Sequence, residues 1–128
     1  MMTDKAQPRT ILYIEDNAAN RQLMEMIIER RTDLNLIVAE DGQTGLRLAE
    51  ERQPELILLD NSLPDMDGHE VLARLRANER TRAIPVISLS GNSLIVPGAT
   101  ETPAFDGYLT KPIDILKFYA TIDHSLRT

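Results

Sequence analysis

The chain has 128 residues, 42% hydrophobic and 27% charged, the balance of one folded domain rather than of a disordered segment. Its 14 Lys and Arg against 20 Asp and Glu give a net charge of -6, which argues against nucleic acid as a direct partner and is compatible with cations. Cysteine is absent, which excludes disulfides, thiolate metal sites and cysteine nucleophiles.

Residues 1–9 are polar and lack an apolar signal-peptide core, so they read as a disordered lead-in to one domain over 10–128. No apolar run approaches the length of a membrane span, and the default location is the cytoplasm. The apolar run 10–14 (TILYI) predicts a first strand. Leu23, Met26, Ile27 and Arg30 recur at helical spacing and predict a helix over 17–31. Residues 34–39 (LNLIVA) predict a second strand, and Leu46 and Ala49 a helix over 42–52 that Pro54 stops. The run 55–59 (ELILL) is continuously apolar after Glu55, the pattern of a strand buried on both faces of a parallel sheet. Pro64 and Gly68 mark a loop, with Gly68 suited to a flexible backbone and Asp67 to the start of a helix over 69–78, whose inward residues are Val71, Leu72 and Leu75. Residues 85–89 and 107–109 predict strands four and five, and 113–126 a closing amphipathic helix.

Strands that alternate with helices predict a parallel sheet covered on both faces. Five such units fit a flavodoxin-like, doubly wound α/β fold with strand order 2-1-3-4-5. In such folds ligands bind beyond the carboxyl ends of the strands. Glu15 and Asp16 follow the first strand and Asp60 follows the third, its neighbour in that order, so the three carboxylates converge. Three like charges in one pocket repel, and a divalent cation relieves them. An oxygen-only ligand set suits Mg²⁺. Ser90 follows strand four, and Lys111, with Pro112 after it, follows strand five. A metal, an ammonium and a hydroxyl are what a transferring phosphoryl group needs, because its catalysis is mostly positioning and charge stabilisation. Asp60 is then the nucleophile that forms an acyl phosphate.

The strings ILYIEDN, LILLDNSLPDMDG, IPVISLSGN and FDGYLTKP, in this order, resemble the receiver domain of two-component response regulators, most of all receivers attached to hybrid histidine kinases. The resemblance runs from Thr10 to the C-terminus. It implies that Asp60 is the phosphoacceptor, that Glu15 and Asp16 hold Mg²⁺ or Mn²⁺, and that Ser62 adds a backbone carbonyl to the metal. It further implies that Ser90 bonds the phosphoryl group, Lys111 contacts its oxygens, and Tyr108 is an aromatic switch that turns inward. A cis Lys111–Pro112 bond is also implied. The implied donor is a histidine kinase or a histidine phosphotransfer protein, with a downstream protein as the reader of the switch. Such a domain is no conventional enzyme; it catalyses its own phosphorylation and slow dephosphorylation.

One segment departs from the pattern. Residues 93–103 should hold the family's fourth helix, yet they contain Pro97, Gly98 and Pro103 with β-branched Ile95, Val96, Thr100 and Thr102. A short, broken or atypical helix is expected there, and this motivates an alternative reading as a phosphorylation-independent interaction module. Other readings are weaker. A haloacid-dehalogenase-type phosphatase needs an acid where Ser62 stands. A calcium loop around Asp65 and Asp67 fails at Leu63 and Arg74. A zinc motif beginning at His69 fails at Ala73. His69 and His124 are expected to be solvated helix residues.

Overall fold

The computed structural model describes residues 8–60, 63–90 and 105–126. Residues 1–7 of the expected 1–9 lead-in, Ser62 and the 93–103 segment lie outside the described residues, while Arg9, expected in the lead-in, opens the first strand. The elements run β1 (Arg9–Ile14), α1 (Ala18–Glu29), β2 (Leu34–Ala39), α2 (Gly42–Arg52), β3 (Leu56–Asp60), α3 (Gly68–Ala77), β4 (Val86–Ser90), β5 (Gly107–Thr110) and α4 (Ile115–Leu126). The five strands form one sheet in the order β2-β1-β3-β4-β5, parallel throughout, as the alternation predicts.

The period-2 alternation of the strands divides the core in two. Ile11, Tyr13, Leu56, Leu58 and Ile87 face α1 and α4, where Met24, Ile27, Phe118 and Ile122 meet them. Leu12, Ile14, Ile57, Leu59 and Val86 face the other way, onto Ala49, Val71, Leu72 and Leu75 of α2 and α3. β3 and β4 are buried along their whole length, and both are largely apolar, with Asp60, Ser88 and Ser90 as their buried polar residues.

Each helix opens on a side-chain cap. Asn17 accepts from the Asn20 amide, Asp41 from Thr44, Asp67 from Glu70 and Asp114 from Lys117, each satisfying an otherwise unpaired first-turn N–H. Gly68 is the first residue of α3 rather than part of the preceding loop. At the end of α2, Gln53 adopts a left-handed backbone (φ 49°) and its side-chain amide donates to the carbonyls of Glu50 and Arg80. Gly45 lies against Ile14 so closely that a Cβ there would stand 2.5 Å from Ile14 Cδ1 and 2.8 Å from its Cγ1.

Several expected boundaries move. Helix α1 ends at Glu29 rather than at residue 31, and its inward residues are Met24, Ile27 and Ile28, while Leu23 and Met26 are exposed. Two apolar stripes overlap in this helix, and the sheet takes the one at spacing i, i+3, i+4. α4 starts at Ile115 because Asp114 is its cap. Strands β3 and β4 are shifted one residue toward the C-terminus, so Asp60 and Ser90 are the last residues of their strands instead of the first residues beyond them. The ladder reaches that far because Asp60 pairs with Leu89 and Ser90 with Thr110.

Candidate phosphoryl and cation site

The carboxyl ends of β1 and β3 bring Glu15, Asp16 and Asp60 together, with one carboxylate oxygen from each within 4.8 Å of the others. The Glu15 amide donates to the Ala39 carbonyl, continuing the β1–β2 ladder and fixing where the acidic pair leaves the sheet. Glu15 and Asp60 are buried and Asp16 is exposed. An all-oxygen donor set of this kind fits a hard divalent cation such as Mg²⁺, with water completing the coordination; no imidazole or thiolate competes for the role.

Lys111 joins the acids from the end of β5. The Lys111 amide donates to the Ser90 carbonyl (2.8 Å), which ties the loop after β5 to the end of β4. Its Nζ lies 3.2 Å from Glu15 Oε1 and 3.2 Å from Asp60 Oδ1. Burial pulls the ammonium pKa down, but the charges and hydrogen bonds of Asp60 and Glu15 outweigh it and hold Lys111 above its ordinary value. The Lys111–Pro112 bond is cis, as the resemblance implies. Ser90 ends β4 and is nearly covered.

Tyr108 stands at the rim, 46% exposed, with its ring edge-on to Phe105 at 5.7 Å between centroids. Phe105 meets His69 of α3 in the same manner at 5.4 Å. His69 and His124 are exposed on their helices.

Three contacts are absent from the sequence reading, which met Asp65 only as part of a rejected calcium loop. Tyr13, fully buried in β1, donates its hydroxyl to Glu15 Oε1 at 2.9 Å. Burial first, then the charge of Glu15, its hydrogen bond and the charge of Asp60, push this phenol far above the ordinary tyrosine range. Arg21 of α1 donates to the Glu15 carbonyl at 3.0 Å. Asp65, in the loop after β3, accepts from the Gly42 and Gln43 amides at 2.8 and 2.9 Å, which ties that loop to the start of α2; the Gly42 bond leads in holding its carboxyl below the usual range. A period-2 reading of β1 would have found the first, since Tyr13 and Glu15 lie on the same side of the chain. The other two depend on tertiary packing.

Comparison with known proteins agrees with this geometry. The family model for the response regulator receiver domain matches residues 11–123. The chain belongs to that family and is a receiver domain of two-component signalling. It is 34% identical over 118 residues to the polar-differentiation response regulator DivK of Brucella anthropi, covering 90% of this chain and 94% of DivK. It is 38% identical over 115 residues to the nitrate/nitrite response regulator NarL of Escherichia coli, covering 87% of this chain and 53% of NarL, so it spans about half the length of that relative. Among solved structures it superposes on the receiver domain of a sensor histidine kinase from Pseudomonas aeruginosa with a TM-score of 0.83 and 28% identity, covering 94% of this chain and 99% of that one. That structure has a magnesium ion coordinated in its active-site cleft. No helix among the described residues is long and apolar enough to cross a membrane.

Proposed function

We propose that this receiver accepts a phosphoryl group on Asp60 from the phosphohistidine of a histidine kinase or a histidine phosphotransfer protein. The single observation that supports it best is Lys111 Nζ at equal distance from Asp60 and Glu15, beside a third acid. A phosphoryl group arriving in line would lose its bond to the histidine nitrogen as it gains one to an Asp60 oxygen. Asp60 is a nucleophile without needing deprotonation by a base, and its place as the last rung of β3 keeps it from turning away. Lys111 follows the charge from the carboxylate to the new phosphoryl oxygens. The Ser90 hydroxyl donates to the phosphoryl group, and Tyr108 turns from the rim toward the space that opens beside it.

Glu15, Asp16, Asp60 and the Ser62 carbonyl would hold Mg²⁺ or Mn²⁺, which when bound offsets negative charge on the transferring oxygens. A downstream protein then reads the altered surface. Water slowly hydrolyses the acyl phosphate and resets the domain.

Incubation with acetyl phosphate and Mg²⁺, followed by intact-mass measurement, tests the reading. One phosphoryl addition is expected, absent in Asp60→Asn. No addition, or one that Asp60→Asn leaves unchanged, overturns it.

A further inference from the structure

Glu15 is an acid with nearly all its hydrogen-bonding capacity assigned. Oε1 accepts from the Tyr13 hydroxyl at 2.9 Å and from Lys111 Nζ at 3.2 Å, and Oε2 accepts from the Asn17 amide at 3.3 Å. A carboxylate has about four acceptor positions, so room for about one more donor or ligand remains. Of the three donors, Lys111 is shared with Asp60, and the Asn17 bond is the longest. The Tyr13 hydroxyl is the short bond, and it comes from a side chain only 1% exposed and packed in the core. It is neutral and cannot follow a phosphoryl group as an ammonium can.

From this we infer that Tyr13 is a positioning residue for cation binding: its hydroxyl holds the Glu15 carboxylate in the orientation that a divalent cation at the Glu15, Asp16 and Asp60 cluster requires. The inference rests on the reading of that cluster as a cation site. Hydrogen bonds that orient a ligand from behind typically matter to metal affinity about as much as a weak ligand does. Lys111 can leave Glu15 when charge moves within the site, and Tyr13 keeps the carboxylate in place while it does so. The rigid support comes from the core side of the sheet and the mobile support from the solvent side.

Mg²⁺ affinity by calorimetric titration tests it, using Tyr13→Phe against a matched control. Tyr119→Phe removes a comparable bond, from the Tyr119 hydroxyl to the Ile27 carbonyl at 2.6 Å, away from the cluster. Tyr13→Phe is expected to weaken Mg²⁺ binding about tenfold, and Tyr119→Phe to leave it within about twofold. A second readout does not depend on affinity. Mg²⁺ should shift the near-ultraviolet tyrosine absorbance of the parent chain, Tyr108→Phe and Tyr119→Phe, and leave that of Tyr13→Phe unchanged. Unaltered affinity in Tyr13→Phe, equal losses in both affinity variants, or a shift that persists without the Tyr13 hydroxyl each overturns the inference. Failure of the parent chain to bind Mg²⁺ at all overturns instead the cation reading beneath it.

Discussion

Two cations in this domain are each shared between two carboxylates, and they sit in opposite circumstances. Lys111 lies between Glu15 and Asp60, whose side chains are 2% and 9% exposed, with single contacts of 3.2 Å. Arg31 lies between Asp33 and Asp123, which are 62% and 47% exposed, with contacts of 2.8 Å. Its fork engages Asp33 through two nitrogens, and its plane lies over the Tyr119 ring at 5.2 Å. The Arg31 group fastens α4 to the turn before β2, and its exposed acids remain hydrated. The Lys111 group buries two acids, adds Asp16 at the rim, and among the described residues shares one ammonium between the buried pair. The difference teaches that ion pairing alone does not mark a functional site. Acids gathered in a buried cluster around one shared ammonium are the arrangement that makes a site a candidate for function.

The comparison can be broken from the site side first. Lys111→Met removes the ammonium shared by two buried carboxylates and should cost about 2 kcal/mol in Mg²⁺-free buffer, less than for a fully buried pair because Lys111 is partly solvated. Urea denaturation with and without Mg²⁺ checks this, and the loss should shrink when Mg²⁺ is added. Asp16→Asn should act in the opposite direction. Removing one charge from the acidic cluster should stabilise the metal-free domain by about 1 kcal/mol, while Mg²⁺-dependent stabilisation falls away in the same denaturation series.

At the other cluster the same type of change should be unfavourable and small. Asp123→Asn is expected to destabilise by about 0.5 kcal/mol, to lose that effect in high salt, and to leave Mg²⁺ affinity unchanged in a calorimetric titration. An Asp123→Asn that stabilised the fold would erase the distinction between the two clusters.

The smallest test uses pH. Lys111 is raised above its ordinary 10.5 in the folded state, so its stabilisation is complete below that pH and disappears as pH climbs through the raised value. The Asp33 carboxyl is lowered, chiefly by the Arg31 hydrogen bond, below its ordinary 3.8, so its stabilisation is complete above that pH and is lost as pH falls through the lowered value. Stability differences between the parent chain and Lys111→Met should therefore narrow as pH climbs through that raised value. Those between the parent and Asp33→Asn should narrow as pH falls through the lowered value.

Much of this was legible in the sequence because strand ends announce themselves. ELILL reads as a buried strand followed by an acid, and the structure carries the strand one residue further, with Asp60 on its last rung. Glu15, Asp16, Asp60 and Lys111 come together as strand order 2-1-3-4-5 requires. Side-chain direction was harder to read. In α1, Leu23 and Met24 have similar hydrophobicity, and only packing on the sheet decides that Met24 goes in and Leu23 stays out. Tyr13 looked like one more β-former in TILYI, because an aromatic strand residue says nothing of where its hydroxyl ends until a neighbour two residues on supplies an acceptor. Arg31 read as the end of a helix, whereas its partners Asp33 and Asp123 are distant in sequence from one another.

Gly45 gives the site a dependence on the opposite side of the sheet. Its missing side chain leaves the room that Ile14 fills, and Ile14 is the residue before Glu15. A single methyl at position 45 would have to displace the Ile14 side chain or lift α2, one residue away from the acidic pair. The hydrogen atom at Gly45 therefore works as a spacing gauge. Drift in the sequence of α2 is cheap on its solvent side, but at this position it would be felt in the packing directly beneath the acidic pair.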